Sequence, residues 1–437
     1  MQGIIAFILI FFVVVTIHEF GHFIVAKKSG ILCQEFAIGM GPKIFHKKIG
    51  ETNFTIRLLP LGGYVKMPDN VFDFNNDVSM YDLKKGMNIR LKLDKEDKVE
   101  KIILDESNDM ELLPIHLEDF DLTEKLFIRG FVGDESEYFE VRKDACVVFG
   151  GMEEQIAPLD RMFSSHSWGK KFWTLFAGPL MNFFLAAVIF IGLAFYTGVP
   201  VNNDDAKLGV VADNSPAQTA GLKVGDTITE VNGQSISTWT GFVEKIKESN
   251  GQELTLKVNR DGSIQEVKVT PKEEVTKNKK GEEVKTYKVG IGKYQETKKG
   301  FVDSIKYGLQ ETLHYGTLIF TAIINLFVSL FTGGFSLNQL GGPVAIYEMS
   351  SSAAKSGLVT TLQWTGILSV NLGLMNLIPI PVLDGGRIIF VIYEAIFKKP
   401  INKKAQYYMT ITFGLLMVAL MLAVTSVSYT HLTLPTK

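Results

Sequence analysis

Cysteine is the scarcest informative residue in this chain, because only Cys33 and Cys146 occur among 437 residues. Two cysteines cannot build a disulfide framework, and these two lack the C-x-x-C spacing of a thiolate metal site. We therefore expect unpaired thiols in a reducing compartment. An excess of one charge is also missing, since 45 lysines and arginines nearly balance 47 aspartates and glutamates. Without a basic cluster interleaved with aromatic residues, nucleic acid is not an expected partner.

The N-terminus lacks the features of a cleaved signal peptide. No lysine or arginine precedes its apolar run, and the run is longer than the hydrophobic region of a signal peptide. Basic residues follow the run instead, at Lys27 and Lys28. We interpret the run as a retained membrane span whose C-terminal end lies in the cytosol, because cytosolic flanks carry the excess of basic residues.

Apolar sequence is abundant: 46% of the residues are hydrophobic and 21% are charged. That combination is typical of a polytopic membrane protein with soluble insertions. Four stretches are long and apolar enough to cross a hydrocarbon core as helices, namely 4–25, 172–197, 358–378 and 407–425. A fifth stretch, 318–331, is short.

Three segments between these stretches read as soluble or surface structure. Residues 31–64 carry Gly and Pro turns that predict β-hairpins. From residue 67 to about 166 the chain is charged and strand-like, which predicts a small β-rich insertion. A second unit, from about 202 to 293, contains G-L-K-V-G-D-T-I-T-E-V-N-G, the pattern of a helix end, a turn and a strand.

The first apolar stretch contains H-E-F-G-H, from His18 to His22. On a helix, residues four apart share a face, so both imidazoles can bind one metal ion while Glu19 lies beside it as a general base. The alternative is a set of polar residues satisfied inside a helix bundle. Each ionisable group at mid-membrane costs about 2.5–3.5 kcal/mol, which makes three within five residues costly without a metal or other partner.

Zinc in a hydrolytic site usually has three protein ligands, so a third ligand is needed from another part of the chain. Asp384 stands at the predicted cytosolic end of the third span, at the depth of the two histidines. Pro379 and Pro381 precede it and predict a break in the helix there. The competing interpretation of Asp384 is a helix N-cap or turn residue before Gly385 and Gly386.

These motifs resemble those of the site-2 protease family of intramembrane zinc metalloproteases, in its bacterial RseP-type branch. The resemblance rests on H-E-x-x-H in the first span and on N-L-I-P-I-P-V-L-D-G at 376–385. It extends to G-G-Y-V-K at 62–66, F-A-G-P-L-M-N-F at 176–183 and G-G-P-V-A-I at 341–346. One PDZ-like unit and a long cytosolic insertion are similar to the Gram-positive form. The tail after residue 425 departs from the family pattern.

The resemblance implies roles for particular residues. Asp384 is expected to be the third zinc ligand, and Asn376 to help stabilise the reacting carbonyl. The strands of 54–65 are expected to form a loop that dips into the membrane and pairs with unwound substrate. The expected substrate-binding residues on its edge strand are Gly62, Gly63, Tyr64 and Val65.

The predicted fold is a polytopic α-helical membrane protein with four transmembrane helices, a membrane-associated β-hairpin region, a β-rich cytosolic insertion and an extracytoplasmic PDZ domain of the α+β class. The predicted segments are 1–26, the first helix with H-E-x-x-H; 27–66, the β region; 67–171, the insertion; 172–197, the second helix; 202–293, the PDZ domain; 300–350, interfacial helices; 356–390, the third helix with N-x-x-P-x-P-x-L-D-G; 405–426, the fourth helix; and 427–437, an atypical tail.

Charge predicts the orientation in a bacterial cell membrane. If Lys27 and Lys28 are cytosolic, the insertion is cytosolic and the PDZ-like unit lies outside. Basic residues after the third span place its end in the cytosol, so an even number of crossings, most simply none, separates the PDZ-like unit from that span. The stretch 318–331 is therefore expected on the outer surface or as an interfacial helix. The active site is expected near the cytosolic side.

The resemblance implies zinc-dependent hydrolysis of peptide bonds within single-span membrane proteins. It implies anti-sigma factors, remnant signal peptides or pheromone precursors as substrates, and the sequence does not choose among them. The PDZ-like unit could dock a peptide by strand addition or exclude bulky substrates, and both roles stay open. Two other classes compete: a membrane-anchored PDZ binding module with a vestigial metal site, and a metal transporter. The intact ligand set argues against the first, and the lack of polar residues along several spans against the second.

Overall fold

The structure is a computed structural model that describes residues 2–68, 83–105, 111–150, 152–201, 204–277, 283–333 and 342–433. It contains nine α-helices in these ranges and a short 3-10 turn at Leu159–Arg161. The helices are α1 (Gln2–Ser29), α2 (Trp168–Thr197), α3 (Pro216–Thr219), α4 (Trp239–Glu248), α5 (Phe301–Thr332), α6 (Pro343–Lys355), α7 (Leu358–Asn376), α8 (Asp384–Phe397) and α9 (Lys403–Thr433).

The strands are mostly short and lie between α1 and α2 and between α2 and α5. They are β1 (Glu35–Ile49), β2 (Thr52–Lys66), β3 (Asn88–Leu93), β4 (Val99–Ile103), β5 (Leu113–Asp121), β6 (Phe127–Val132), β7 (Glu135–Phe149), β8 (Met152–Gln155), β9 (Val199–Pro200), β10 (Leu208–Val211), β11 (Thr227–Val231), β12 (Gln234–Ser235), β13 (Leu254–Arg260), β14 (Ser263–Val269), β15 (Lys272–Lys277), β16 (Glu283–Lys288), β17 (Ile291–Lys293) and β18 (Thr297–Lys298).

Five helices of the described chain are long and apolar enough to cross a membrane, one more than the four predicted spans. They are Gly3–Ser29, Trp168–Thr197, Phe301–Thr332, Leu358–Asn376 and Lys403–Thr425. The additional helix is α5, which forms one rod of 32 residues where short interfacial helices were expected within 300–350. Asp303 and Glu311 interrupt the apolar sequence in its first half, but charged residues do not end a helix.

The predicted third helix, 356–390, is two helices in the structure. α7 ends at Asn376 and α8 begins at Asp384, with Pro379 and Pro381 in the connection. Gly385 and Gly386 let this connection fold back onto α8, because a Cβ on either residue would overlap the backbone of Leu377–Pro381. The break therefore brings the last residue of α7 and the first residue of α8 to the same place.

α9 extends further than the predicted fourth helix. It continues to Thr433, through most of the predicted atypical tail 427–437. Residues 434–437 lie outside the described residues.

β1 and β2 curl into a sheet in which the first part of β1 is paired on both sides. Phe36 pairs with Phe54 on one side and with Val65 on the other. Because β2 turns back on itself, its last residues, Gly63 to Lys66, add a short strand beside 35–38. In the described part of the chain, that short strand is paired on this side only. It is thus an edge strand.

A six-stranded sheet follows, in the order β4-β3-β5-β6-β7-β8. β4 also pairs with the far end of the long β7, which closes five of the strands into a ring around an apolar core. The core residues include Leu91, Ile102, Leu117 and Ile128, all fully buried. This ring occupies the described part of the predicted insertion 67–171.

A separate compact unit covers Ala194–Tyr307, somewhat more than the predicted segment 202–293. Its main sheet has the order β12-β11-β13-β14, and α4 packs on it through the buried Phe242 and Ile246. Three strand pairs complete the unit, β10 with β17, β15 with β16 and β9 with β18.

An ion pair in this unit has a buried carboxylate. Asp226 is 1% exposed and accepts hydrogen bonds from Nε and Nη2 of Arg260, both at 2.7 Å. Burial opposes ionisation of Asp226, but the Arg260 hydrogen bonds and one from the Lys223 amide outweigh it, so the pKa of the Asp226 carboxyl is lowered. A carboxyl whose pKa is lower in the folded than in the unfolded state stabilises the fold above its ordinary pKa and loses that contribution as the pH falls.

We expect Asp226→Asn to destabilise this unit by about 1–3 kcal/mol, because it replaces charge-assisted hydrogen bonds from Arg260 by weaker ones at a buried position. In the unchanged chain, protection of the sheet should decline as the pH falls below about 4. Hydrogen exchange of β11 and β13 in the detergent-solubilised protein measures both effects. Glu253→Gln is the control, because Glu253 forms an exposed pair with Lys268 at 3.7 Å, and its loss should change stability by less than about 0.5 kcal/mol. Equal exchange in the two variants would contradict the assignment.

Candidate metal centre

Three predicted metal ligands meet at one point between α1 and α8. His18 Nε2 lies 3.1 Å from Asp384 Oδ2, His22 Nε2 lies 3.3 Å from the same oxygen, and the two Nε2 atoms are 3.2 Å apart. Both imidazoles are buried. The arrangement follows from the sequence locally: the histidines share one face of α1, and the α7–α8 break presents Asp384 at the start of a helix.

The spacing of these atoms fits a zinc ion. Two donor atoms about 2.1 Å from a tetrahedral zinc lie about 3.4 Å apart, close to all three observed separations. Two imidazoles and one carboxylate are also the donor types that zinc uses in hydrolytic sites, where the fourth position is left for water or substrate. The described residues contain no other group of three His, Cys, Asp or Glu side chains with metal-ligand spacing.

The backbone of α2 orients His22. Its Nδ1 lies 2.8 Å from the carbonyl oxygen of Thr174. A carbonyl oxygen can only accept, so the ring proton is on Nδ1 and the Nε2 lone pair is free for a metal. Nothing in the sequence indicates this contact, because any residue type at position 174 would offer the same carbonyl.

Two amides face His18. Asn376, predicted to stabilise the reacting carbonyl, lies at the end of α7 with Nδ2 3.4 Å from His18 Nε2. Asn182 of α2 is fully buried, and its amide lies 3.2 Å from His18 Nδ1. The sequence prediction gave Asn182 no role, although a polar residue in the middle of an apolar span was the available signal.

Glu19 is buried on α1 between the metal ligands and the edge strand. Its ionisable neighbours are His22, His18, Asp384 and Arg387. On the other side lies Gly63, where a Cβ would come within 2.9 Å of Glu19 Cγ. The predicted base and the predicted substrate strand are therefore in contact range.

The four predicted substrate-binding residues lie together at the end of β2. Gly63 pairs with Ile38, and Tyr64 pairs with Ala37. Tyr64 is held by Glu35, whose Oε2 accepts its hydroxyl proton at 2.9 Å, and Val65 is buried in the core between the sheet and α1. Their role in substrate binding stays a prediction.

α1 and α2 cross at glycines. A Cβ on Gly21 would overlap the backbone of Ala177, and a Cβ on Gly178 would overlap the His22 ring and lie 2.9 Å from His18 Cε1. Small residues at such crossings let helices in a membrane approach closely. Here the space is filled by the two imidazoles.

A buried ion pair joins α2 to α8 beside this centre. Lys171 Nζ donates to Glu394 Oε1 at 2.7 Å and to the Ser164 carbonyl at 2.9 Å. Lys171 lies one turn before Thr174, and Glu394 is on the helix that begins with Asp384. The pair thus connects the helix that orients His22 with the helix that carries the third ligand.

A helical membrane protein with two histidines, a carboxylate and a neighbouring glutamate at one buried point has the architecture of a membrane metallopeptidase. The chain belongs to peptidase family M50, whose family model matches residues 6–420. It is an intramembrane zinc metalloprotease. That membership confirms the predicted family and activity and decides against the binding-module and transporter alternatives.

Three relatives show the extent of the similarity. A Staphylococcus aureus protein (strain MSSA476) named as a candidate zinc metalloprotease is 43% identical, over 97% of this chain and 96% of its own. Zinc metalloprotease RasP of Oceanobacillus iheyensis is 42% identical, over 97% and 98%. The regulator of sigma-W protease RasP of Bacillus subtilis is 40% identical, over 97% of both chains.

Several solved structures resemble a part of the chain, and one of them serves as an example. The PDZ domain of an SdrC-like protein from Listeria monocytogenes matches 21% of this chain and 90% of its own, with 25% identity and a TM-score of 0.16. The assignment of 202–293 as a PDZ domain stays a prediction.

Gly178 offers a direct test of the packing around the metal ligands. We expect Gly178→Ala to displace the His22 ring and to weaken zinc binding about tenfold or more, with a corresponding loss of cleavage. Zinc content of the purified protein measures the effect. Gly192→Ala, on the same helix, is the matched control, because an added Cβ there meets no atom within 4 Å. An unchanged zinc content in Gly178→Ala would show that the two helices do not pack this closely.

Proposed function

We propose that His18, His22 and Asp384 hold the zinc ion, that Glu19 is the general base and acid, and that Asn376 binds the reacting carbonyl. The observation that carries this proposal is the set of three ligand-to-ligand distances between 3.1 and 3.3 Å, formed by residues of α1 and α8. Bound zinc would supply a Lewis acid that polarises a carbonyl and lowers the pKa of water.

Glu19 and Asn376, which lie beside the three ligands, perform the other steps of the reaction. The Glu19 carboxylate takes a proton from the attacking water as the new C–O bond forms at the scissile carbonyl carbon. It then delivers that proton to the leaving nitrogen as the C–N bond breaks, giving a carboxylic acid and an amine. Asn376 Nδ2 donates a hydrogen bond to the carbonyl oxygen, where negative charge develops.

We propose that the substrate is an unwound transmembrane segment that pairs with the edge strand Gly63 to Lys66. A peptide bond in a helix is shielded by its own hydrogen bonds, so the helix must open before water can attack. An added strand beside Gly63 recovers those hydrogen bonds and runs past Glu19. The open side of this edge strand and the missing side chain at Gly63 support the proposal.

The proposed substrates are single-span membrane proteins, with anti-sigma factors first among them. The name of the Bacillus subtilis relative, regulator of sigma-W protease, supports this class. Remnant signal peptides and pheromone precursors present the same chemistry, a single apolar helix.

We further propose that α1, α2, α7 and α9 cross the membrane, with the insertion in the cytosol and the PDZ-like unit outside, where it controls access by docking a peptide or excluding bulky substrates. Lys27 and Lys28 at the end of α1 support a cytosolic end for that helix. Lys398, Lys399, Lys403 and Lys404, between α8 and the start of α9, support a second cytosolic flank. With this parity α5 makes no net crossing of the membrane.

Two substitutions separate catalysis from metal binding. We expect Glu19→Gln to leave the zinc content nearly unchanged and to lower cleavage of a reporter span about 100-fold or more, because the amide cannot take up the water proton. Asp384→Ala should lower both, because it removes a ligand. Zinc per protein and cleavage in proteoliposomes are measured side by side. Retained cleavage in Glu19→Gln would exclude it as the base, and full zinc occupancy in Asp384→Ala would exclude it as a ligand.

The orientation is tested with single cysteines in a chain from which Cys33 and Cys146 have been replaced by alanine. Ser263→Cys, in the PDZ-like unit, should react with a membrane-impermeant maleimide in intact cells. Ser136→Cys, in the insertion, should react only after lysis. Both serines are exposed, so accessibility to solvent is matched. Labelling of Ser136→Cys in intact cells would reverse the orientation.

A further inference from the structure

Asn182 is a buried amide with one end unpartnered. It lies one turn after Gly178 on α2, it is 0% exposed, and Nδ2 is placed 3.2 Å from His18 Nδ1. Its Oδ1 is also buried, and it has no hydrogen-bond partner in the described part of the chain. A buried amide oxygen without a donor costs about 1–3 kcal/mol, so the arrangement needs a reason.

Zinc binding by His18 through Nε2 would explain this arrangement. The inference therefore rests on the proposed function. A neutral imidazole carries one ring proton, and an Nε2 that binds a metal leaves that proton on Nδ1. The group facing Nδ1 must then accept a hydrogen bond. For His22 that acceptor is the Thr174 carbonyl. For His18 the only comparable contact given by the described residues is the Asn182 amide.

A half-turn of the Asn182 carboxamide exchanges oxygen and nitrogen, which have nearly the same size. It would bring Oδ1 to His18 Nδ1 and give the oxygen its donor. The nitrogen would take the buried place that the oxygen held, so the number of hydrogen bonds alone does not decide between the orientations. The tautomer that metal binding requires does decide.

We propose that Asn182 is the positioning residue of His18, with Oδ1 accepting the Nδ1 proton so that the Nε2 lone pair points toward His22 and Asp384. The backbone of Asn182 is fixed as well, since Ser369 Oγ of α7 donates to its carbonyl oxygen at 2.8 Å. A neutral amide does this without placing another charge in the membrane. Asn182 thereby links α1, α2 and α7 through one residue that is fully buried.

The test compares an acceptor with an apolar side chain of similar size. The Asn182→Asp side chain offers an acceptor oxygen to Nδ1 in either protonation state, so its zinc affinity should stay within about threefold of the unchanged chain. Asn182→Leu offers no acceptor, and its zinc dissociation constant should rise about 10- to 100-fold, as for other outer-shell partners of metal-binding histidines. Competition with a chelator, on the full detergent-solubilised chain, measures the constants without relying on activity.

Ser369→Ala is the matched control for packing. It removes the α7 hydrogen bond to Asn182 but leaves the amide that faces His18, so it should lower the thermal unfolding temperature with less than a threefold effect on zinc affinity. If Asn182→Leu does not accumulate as folded protein, Asn182→Ala takes its place, because it removes the same group with less added volume. Equal loss of affinity in the Asp and apolar variants would overturn the acceptor assignment. Unchanged affinity in the apolar variant would overturn the positioning role.

The same experiment separates this inference from the proposed function. An unchanged chain that binds no zinc, or one that keeps full zinc after Asp384→Ala, would refute the ligand set itself. Tight zinc binding that depends on Asp384 but not on residue 182 would refute only the role of Asn182.

Discussion

The proposed metal centre depends on contact between residues that are 366 positions apart. His18 and His22 can share a face of one helix, but geometry prevents that helix from supplying the third donor at the same distance. α8 must therefore pack against α1 before any centre exists. Neighbouring contacts stabilise this packing. The Lys171–Glu394 ion pair joins α2 to α8, and the Thr174 carbonyl orients His22. Catalytic competence is thus a property of the packed helices and of no single motif.

Those helices can approach closely because glycines, which have no side chain, lie where the helices cross. Between helices in lipid there is little hydrophobic driving force, so association relies on packing and on hydrogen bonds. Gly21 and Gly178 permit the α1–α2 contact, and a Cβ on Gly373 of α7 would come within 3.1 Å of the Pro179 carbonyl. The polar contacts of Ser369 and Asn182 add direction to this packing.

The sequence predicted what local patterns encode. The i, i+4 histidines indicated a metal site, two prolines before Asp384 indicated a broken helix, and Gly-Pro turns indicated β-hairpins in 31–64. Charged residues in the first half of α5 interrupt the apolar pattern. The sequence therefore predicted only a short stretch where the structure has a 32-residue helix. Nor could it show the Thr174 carbonyl, which any residue would provide. The contact of Asn182 with His18 could not be predicted, because it depends on how α1 and α2 pack. The polar residue within an apolar span was the only signal in the sequence.

Gly63 has a consequence beyond making room for Glu19. Gly63 has no side chain, so at this position the strand can contact only the backbone of a bound peptide. In the proposed substrate complex, the protease has little means at that position of distinguishing one apolar side chain from another. Discrimination would then depend on how easily a candidate helix gives up its own hydrogen bonds, a property of the helix's intrinsic stability. Transmembrane segments that contain helix-destabilising residues would then be cleaved fastest.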